Sequence, residues 1–209
     1  MILCEHSLLI FDFDGTIADS LHALLECINN NAHYYGYKKI DDVEALRNKE
    51  AAEILKELGL SICKLPFVVQ AVRNDMRSKI HALQPVPEIA EVLTQLHKKE
   101  IGMSIITSNA TENVEIFLRN HNLNFFKHIH GQSSIFGKSN LIKKFLASHK
   151  INAAKTIYVG DETRDIEAAK HNKIKSAAVT WGFNSSQKLR EKNPDYMLHH
   201  PKELFDLIA

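Results

Sequence analysis

The chain is short of the residues that build unusual architectures. It has 8 Gly and 5 Pro in 209 residues, and they form no Gly/Ser linker, low-complexity tract or internal repeat. Only Cys4, Cys27 and Cys63 are available for disulfides. They are odd in number and widely spaced, with no CxxC, and the histidines show no zinc spacing. Free buried thiols in a reducing compartment are the simple expectation. No apolar stretch approaches the roughly 20 residues of a membrane span. The opening MILCEHSLLIF carries an early acid and lacks a basic n-region, a long h-region and a small-residue cleavage site, so a cytoplasmic protein is expected. Charge of one sign is also missing. With 26 basic and 25 acidic side chains the net charge is +1, which favours neither nucleic acid nor an anionic membrane surface. The charges are scattered through helical patterns as solvated faces.

What is present fits an ordinary soluble globular protein, with 44% apolar and 24% charged residues. The length suits one core domain with a modest insert. Short apolar runs at Leu8 to Phe11, Met103 to Thr107, Thr156 to Gly160 and Ala177 to Trp181 show little polar alternation. That is the pattern of strands covered on both faces. A further short strand is expected at Tyr196 to Leu198, before a closing helix from Pro201. Between the strands lie helical patterns. Ile89, Val92, Leu93 and Leu96 recur at i, i+3, i+4, i+7 within Pro87 to Lys99. Others cover Glu112 to His121, the Leu141, Ile142, Phe145, Leu146 face after a possible N-cap at Ser139, and a helix marked by Ile166 and Ala169. The alternation predicts a doubly wound α/β parallel sheet. From about Leu21 to Leu83 it stops. Ala51, Ile54, Leu55 and Leu58 share a helical face, Gly59 suits a C-terminal stop, and Pro66 can open a helix through Arg77. The expected organisation is a core from 1–18 and 85–209, with an inserted helical cap at 19–84. The twelve histidines read mostly as surface residues.

Four constellations carry possible chemistry. Asp12 and Asp14, in Phe11-Asp12-Phe13-Asp14-Gly15-Thr16, sit two apart at a strand end and project toward one region. Such strand ends are where open α/β sheets bind ligands. Two carboxylates there can hold a hard divalent cation or divide into nucleophile and acid/base, although Asp and Gly are equally at home in a surface turn. Gly15 permits a tight turn and a close approach of backbone N–H groups to an anion. Thr107-Ser108-Asn109 ends a second strand before a helix. It offers hydroxyls and amides to an anion, or, with Glu112, ordinary helix capping. Lys138, after Gly137, can neutralise a phosphoryl group, or be a solvated lysine. Asp161, Glu162 and Asp165, in Gly160-Asp161-Glu162-Thr163-Arg164-Asp165, supply oxygen ligands for Mg²⁺, or an acidic first helical turn.

Taken together and in this order, the four resemble motifs one to four of the haloacid dehalogenase-like hydrolase superfamily, and the helical insert resembles its C1 cap. The stretches DFDGTIADS and YVGDETRDIEAA look most like the phosphoglycolate phosphatase-like branch. The resemblance spans nearly the whole chain and implies a Rossmann-like core under a substrate-closing lid. It implies Asp12 as the nucleophile that becomes an aspartyl-phosphate, and Asp14 as the acid/base. Mg²⁺ would be held by Asp12, the main-chain carbonyl of Asp14 and Asp161, with Asp165 orienting a metal-bound water. Thr107 would contact a phosphoryl oxygen, helped by backbone amides near Gly15, Thr16, Ser108 and Asn109. Lys138 would bridge Asp12 and the phosphoryl group. Glu162 falls where relatives vary and is not counted as a ligand. Arg47 is the cap candidate for a substrate anion, with an exposed helix Arg as the alternative. The chain departs from the branch at Val86-Pro87-Glu88, where a Pro-Gly turn is common, which touches the hinge and not the chemistry.

Haloacid dehalogenases lack the second acid, so Asp14 points to phosphate esters. The implied partner is a small phosphorylated metabolite, phosphoglycolate-like by analogy, acted on by a monomer or a dimer. A phosphomutase of the beta-phosphoglucomutase type shares these motifs. A non-catalytic binding module would have lost Asp12, Lys138 or Asp161.

Overall fold

The computed structural model describes residues 8–131 and 137–208; Cys4 lies outside them, as does the side chain of Ala51. The elements run β1 (Leu8–Phe11), α1 (Leu21–Tyr35), α2 (Val43–Arg47), α3 (Ala51–Glu57), α4 (Leu65–Lys79), α5 (Ile89–Lys98), β2 (Gly102–Ile106), α6 (Thr111–Asn120), β3 (His128–His130), α7 (Lys138–Ser148), β4 (Thr156–Gly160), α8 (Thr163–His171), β5 (Lys175–Val179), α9 (Ser186–Glu191) and β6 (Tyr196–Leu198). A 3₁₀ segment, Pro201–Ile208, follows β6 where the sequence suggested a helix. The strands form one sheet in the order β3-β2-β1-β4-β5-β6, and each neighbouring pair is parallel. This is a doubly wound order, with its switch point between β1 and β4.

The apolar runs explain the layers. Side chains alternate across a strand, so Leu9 and Phe11 pack with Met103, Ile105 and Val159 on one face. Leu8 and Ile10 pack with Tyr158, Ile142 and Phe145 on the other. Each fully buried side chain of this size contributes about 1.5–3 kcal/mol. Strand β5 starts two residues before the expected Ala177, and Trp181 lies beyond it. Strand β3 was not anticipated. It is a three-residue edge strand of half-buried His, Ile and His, with neither length nor an apolar run to announce it.

The scarcity of glycine shows at the helix ends. Glu100, Asn122, Lys150, Lys173 and Asn193 adopt left-handed backbone with φ between 48° and 60°, each just past a core helix. After them, the N–H groups of Ile101, Leu123, Ile151 and Ile174 return to Leu96, Leu118, Leu146 and Ala169 carbonyls. These are Schellman closures with an apolar residue at the reversal, made without glycine. In the cap, α1 ends on Gly36 and α3 is followed by Gly59, both left-handed.

Helices α1–α4 form the cap, with α1 packed along α4 and no strand within it among the described residues. Its two connections run side by side: Asp19 N–H donates to the Gln84 carbonyl and Val86 N–H to that of Ile17, both at 2.9 Å. At the departure from Pro-Gly, Glu88 takes φ 66°, the conformation that a glycine adopts without strain.

Candidate active site

Strands β1 and β4 end side by side at the switch point, and their following residues meet. Asp12 N–H continues the ladder to the Val159 carbonyl at 2.8 Å. The Asp12 carboxylate is buried and accepts from the Phe13 N–H at 2.8 Å and from Lys138 Nζ at 2.8 Å. Lys138 Nζ also donates to Asp165 Oδ1 at 2.5 Å. Lys138 is thus a buried ammonium in the first turn of α7, which Gly137 and not Ser139 caps. Ser139 instead accepts from the Asn172 side chain. Burial works against the Lys138 charge, but Asp12 and Asp165 outweigh it and hold its pKa well above the usual value.

Asp161, buried after β4, accepts from Thr16 Oγ1 at 2.8 Å and from Phe183 N–H at 2.7 Å. Burial, then the charges of Glu162, Asp12 and Asp165, push its pKa well up. Carboxylate oxygens of Asp12, Asp161 and Asp165 lie within 4.8 Å of one another, and the Lys138 ammonium is paired with two of these three acids. Gly15 at φ 72° allows this approach, since a Cβ there would meet Asp161 Oδ2 at 2.2 Å. Gly182 is equally confined, with Asp161 Oδ2 at 2.3 Å from a built Cβ. Hard, buried, crowded oxygens with an excess of negative charge suit Mg²⁺.

Asp14 is set apart. Its Oδ2 accepts from Asn109 Nδ2 at 2.9 Å, while its buried Oδ1 has no partner. Burial, then the Asp12 charge, raises its pKa to about 6, so near neutral pH it can hold or release a proton. Thr107 is fully buried beyond β2, and its Oγ1 accepts from Asn109 N–H at 3.1 Å. Asn109 does not cap α6; Ala110 holds that position, and Asn109 Oδ1 accepts from the Ala110 N–H. Glu162 caps α8 in a reciprocal box with Asp165 and pairs with Arg164.

Ser108 and Asn109 line a chamber of about 270 Å³ that opens from Asp14 into the cap. Its polar end also carries Glu162, Arg164 and Arg73. The remainder is largely apolar, including Leu24, Ile28, Leu55, Val68, Val72 and Phe183. Arg47 is not brought to this chamber. Its Nε and Nη2 donate to the carbonyls of Phe183 and Thr180, each at 3.2 Å, which ties α2 to the core. Sequence reasoning missed Arg73, on α4, whose Nη2 donates to the Ser108 carbonyl at 3.2 Å. It also missed Asn184. That buried residue accepts from Thr163 N–H at 2.9 Å and donates to the Arg47 carbonyl at 3.2 Å. A polar residue in a Phe-Asn-Ser loop gave no local signal.

The description "Haloacid dehalogenase-like hydrolase" matches residues 9–179. A phosphoglycolate phosphatase of Synechococcus elongatus is 35% identical over 204 residues, covering 96% of each chain. A pyrophosphatase of Anoxybacillus flavithermus is 24% identical over 212 residues, again covering 96% of each. Among solved structures, a haloacid dehalogenase-like family hydrolase of Streptococcus pneumoniae is 26% identical. It superposes with a TM-score of 0.80 over 98% of this chain and 99% of that one. A Clostridium acetobutylicum protein at 21% identity shares the fold, with a TM-score of 0.81 over 96% and 97% of the two chains.

Proposed function

This chain belongs to the haloacid dehalogenase-like hydrolase family, and from that premise we propose that it hydrolyses a small-molecule phosphate monoester through a phosphorylated Asp12. The observation that carries this reading is the buried group at the ends of β1 and β4, where Lys138 holds Asp12 and Asp165 beside Asp161. Asp12 attacks phosphorus as the ester oxygen departs, and Asp14 gives that oxygen its proton. Asp14 then takes a proton from water, which attacks the aspartyl-phosphate and releases phosphate, restoring Asp12. Thr107 and the amides near Gly15, Thr16, Ser108 and Asn109 bind the phosphoryl oxygens, and Lys138 holds the Asp12 carboxylate in place for attack. Asp12, Asp161 and the main-chain carbonyl of Asp14, with Asp165 beside them, would hold Mg²⁺, which would supply neutralisation of the charge repulsion between carboxylate and phosphate. The cytoplasm as setting and a monomer as working unit belong to the same reading.

A small substrate with two anionic groups, such as phosphoglycolate, follows from the named relatives. The chamber favours a second reading of the alcohol. Its walls beyond Arg73 and Arg164 are apolar, which suits an ester with an uncharged, apolar body anchored by its phosphate. Phosphate release from a panel running from phosphoglycolate to aryl and alkyl phosphates tests both. Activity should require Mg²⁺, vanish with a chelator, and fall at least ~10³-fold in Asp12→Asn. Full activity of that variant would overturn the nucleophile assignment. An isomer formed without free phosphate would make the enzyme a mutase.

A further inference from the structure

The histidines expected on the surface include a cluster that the proposed chemistry does not use. His128 and His130 lie two apart on β3 and so share a face of this edge strand. His149, the C-cap of α7, packs against them, with ring centroids 4.0 Å from His128 and 6.0 Å from His130. One ring nitrogen from each of the three lies within 4.8 Å of the others. Phe145 fills the floor, edge-on to both strand histidines.

Three details separate this cluster from simple aromatic packing. His130 Nε2 is buried without a hydrogen-bond partner, a situation that a ligand relieves. His149 Nδ1 lies 2.9 Å from Ser148 Oγ and 3.1 Å from the Phe145 carbonyl, and the Ser148 hydroxyl itself donates to that carbonyl. With the Ser148 proton so committed, Nδ1 is the donor and the Nε2 lone pair is free, the arrangement usual for a metal-bound imidazole. Burial, then neighbouring His149, lowers the pKa of both His128 and His130, which favours the neutral rings that metal ligation needs.

We propose that His128, His130 and His149 form a binding site for a first-row transition-metal dication of the Zn²⁺ type, separate from the carboxylate centre. Imidazole nitrogens suit Zn²⁺, Cu²⁺ or Ni²⁺, whereas the all-oxygen Asp12, Asp161 and Asp165 set suits Mg²⁺. Tetrahedral Zn–N bonds of about 2.0–2.1 Å place nitrogens roughly 3.3 Å apart, which small rotations of the rings can reach. Water would complete the coordination. The site joins the last turn of α7 to β3, and Lys138 lies at the other end of α7, about 16 Å away at 1.5 Å per residue. The His130 carbonyl accepts from Thr107 N–H at 3.0 Å. Metal at the cluster therefore braces the helix and the strand that flank the phosphoryl site.

The test uses the full chain without a histidine tag, stripped with chelator and titrated with Zn²⁺ under excess Mg²⁺. Calorimetry and thermal unfolding supply the readouts. We expect one Zn²⁺ per chain with micromolar or tighter affinity and a raised Tm. His149→Ala alters an exposed side chain and should leave the fold intact while weakening binding at least ~10-fold. His128→Gln with His149→Ala should abolish both the heat and the Tm shift. Absence of saturable binding at 100-fold molar excess of Zn²⁺ would overturn the proposal. So would binding that persists unchanged in the double variant, since the metal would then sit elsewhere.

Discussion

In the core, the charged groups at the strand ends hold one another. Asp12, Asp161 and Asp165 are buried, and each accepts from a named donor. The cap offers the same cleft a wall of Leu, Ile and Val with Arg73 at its mouth. Under the proposed function, reaction and recognition are built from different materials: the core positions a few charges where desolvation makes each of them strong, and the cap sets the size and polarity of what can approach, a discrimination limited to what apolar packing can supply.

The largest expected effect breaks the core half of this comparison. Asp12→Asn should lose at least ~10³-fold in kcat while its Tm stays near that of the parent. Next, Lys138→Ala strands two buried carboxylates. We expect a loss of roughly 3 kcal/mol in metal-free urea unfolding, much of it restored by Mg²⁺, which takes over the neutralisation. The cap half should respond differently. Val72→Phe, which fills the chamber, should lower kcat/KM for bulky apolar esters by about 10–200-fold and leave the smallest esters nearly unchanged. An equal loss for all substrates would mean the chamber does not sort them. Arg47→Ala removes two charge-assisted bonds between cap and core, each worth about 1.5–3 kcal/mol. Its expected signature is a KM raised by roughly 10-fold, with kcat changed far less.

The smallest effect separates the helix ends. Lys173→Gly should stabilise by about 0.5–1 kcal/mol, because left-handed backbone costs a side chain that much. Gly59→Ala in the cap should destabilise by about 1 kcal/mol, although nothing lies within 4 Å of a Cβ built there. Thermal unfolding of the two variants measures both.

The legible parts were those written in contiguous residues. Buried strands such as Leu8–Phe11 advertise themselves by unbroken apolar runs, and the acids after them follow immediately. Sequence could place Asp14 beside Asp12 but could not reveal that Asn109, 95 positions away, holds its Oδ2 while its Oδ1 stays unpartnered. Lys138 looked like one lysine among many because its burial is produced by three separate segments. Arg47 and Arg73 were indistinguishable by type, and only the packing of α2 and α4 turns one to the core carbonyls and the other to the chamber. Strand β3 escaped because an edge strand of three half-exposed residues has no apolar face to show.

Phe183 has one more consequence. Its N–H donates to Asp161, and its carbonyl accepts from Arg47. The cap arginine and the Asp161 carboxylate thus grip one residue from opposite sides, a single rivet shared by two parts of the fold.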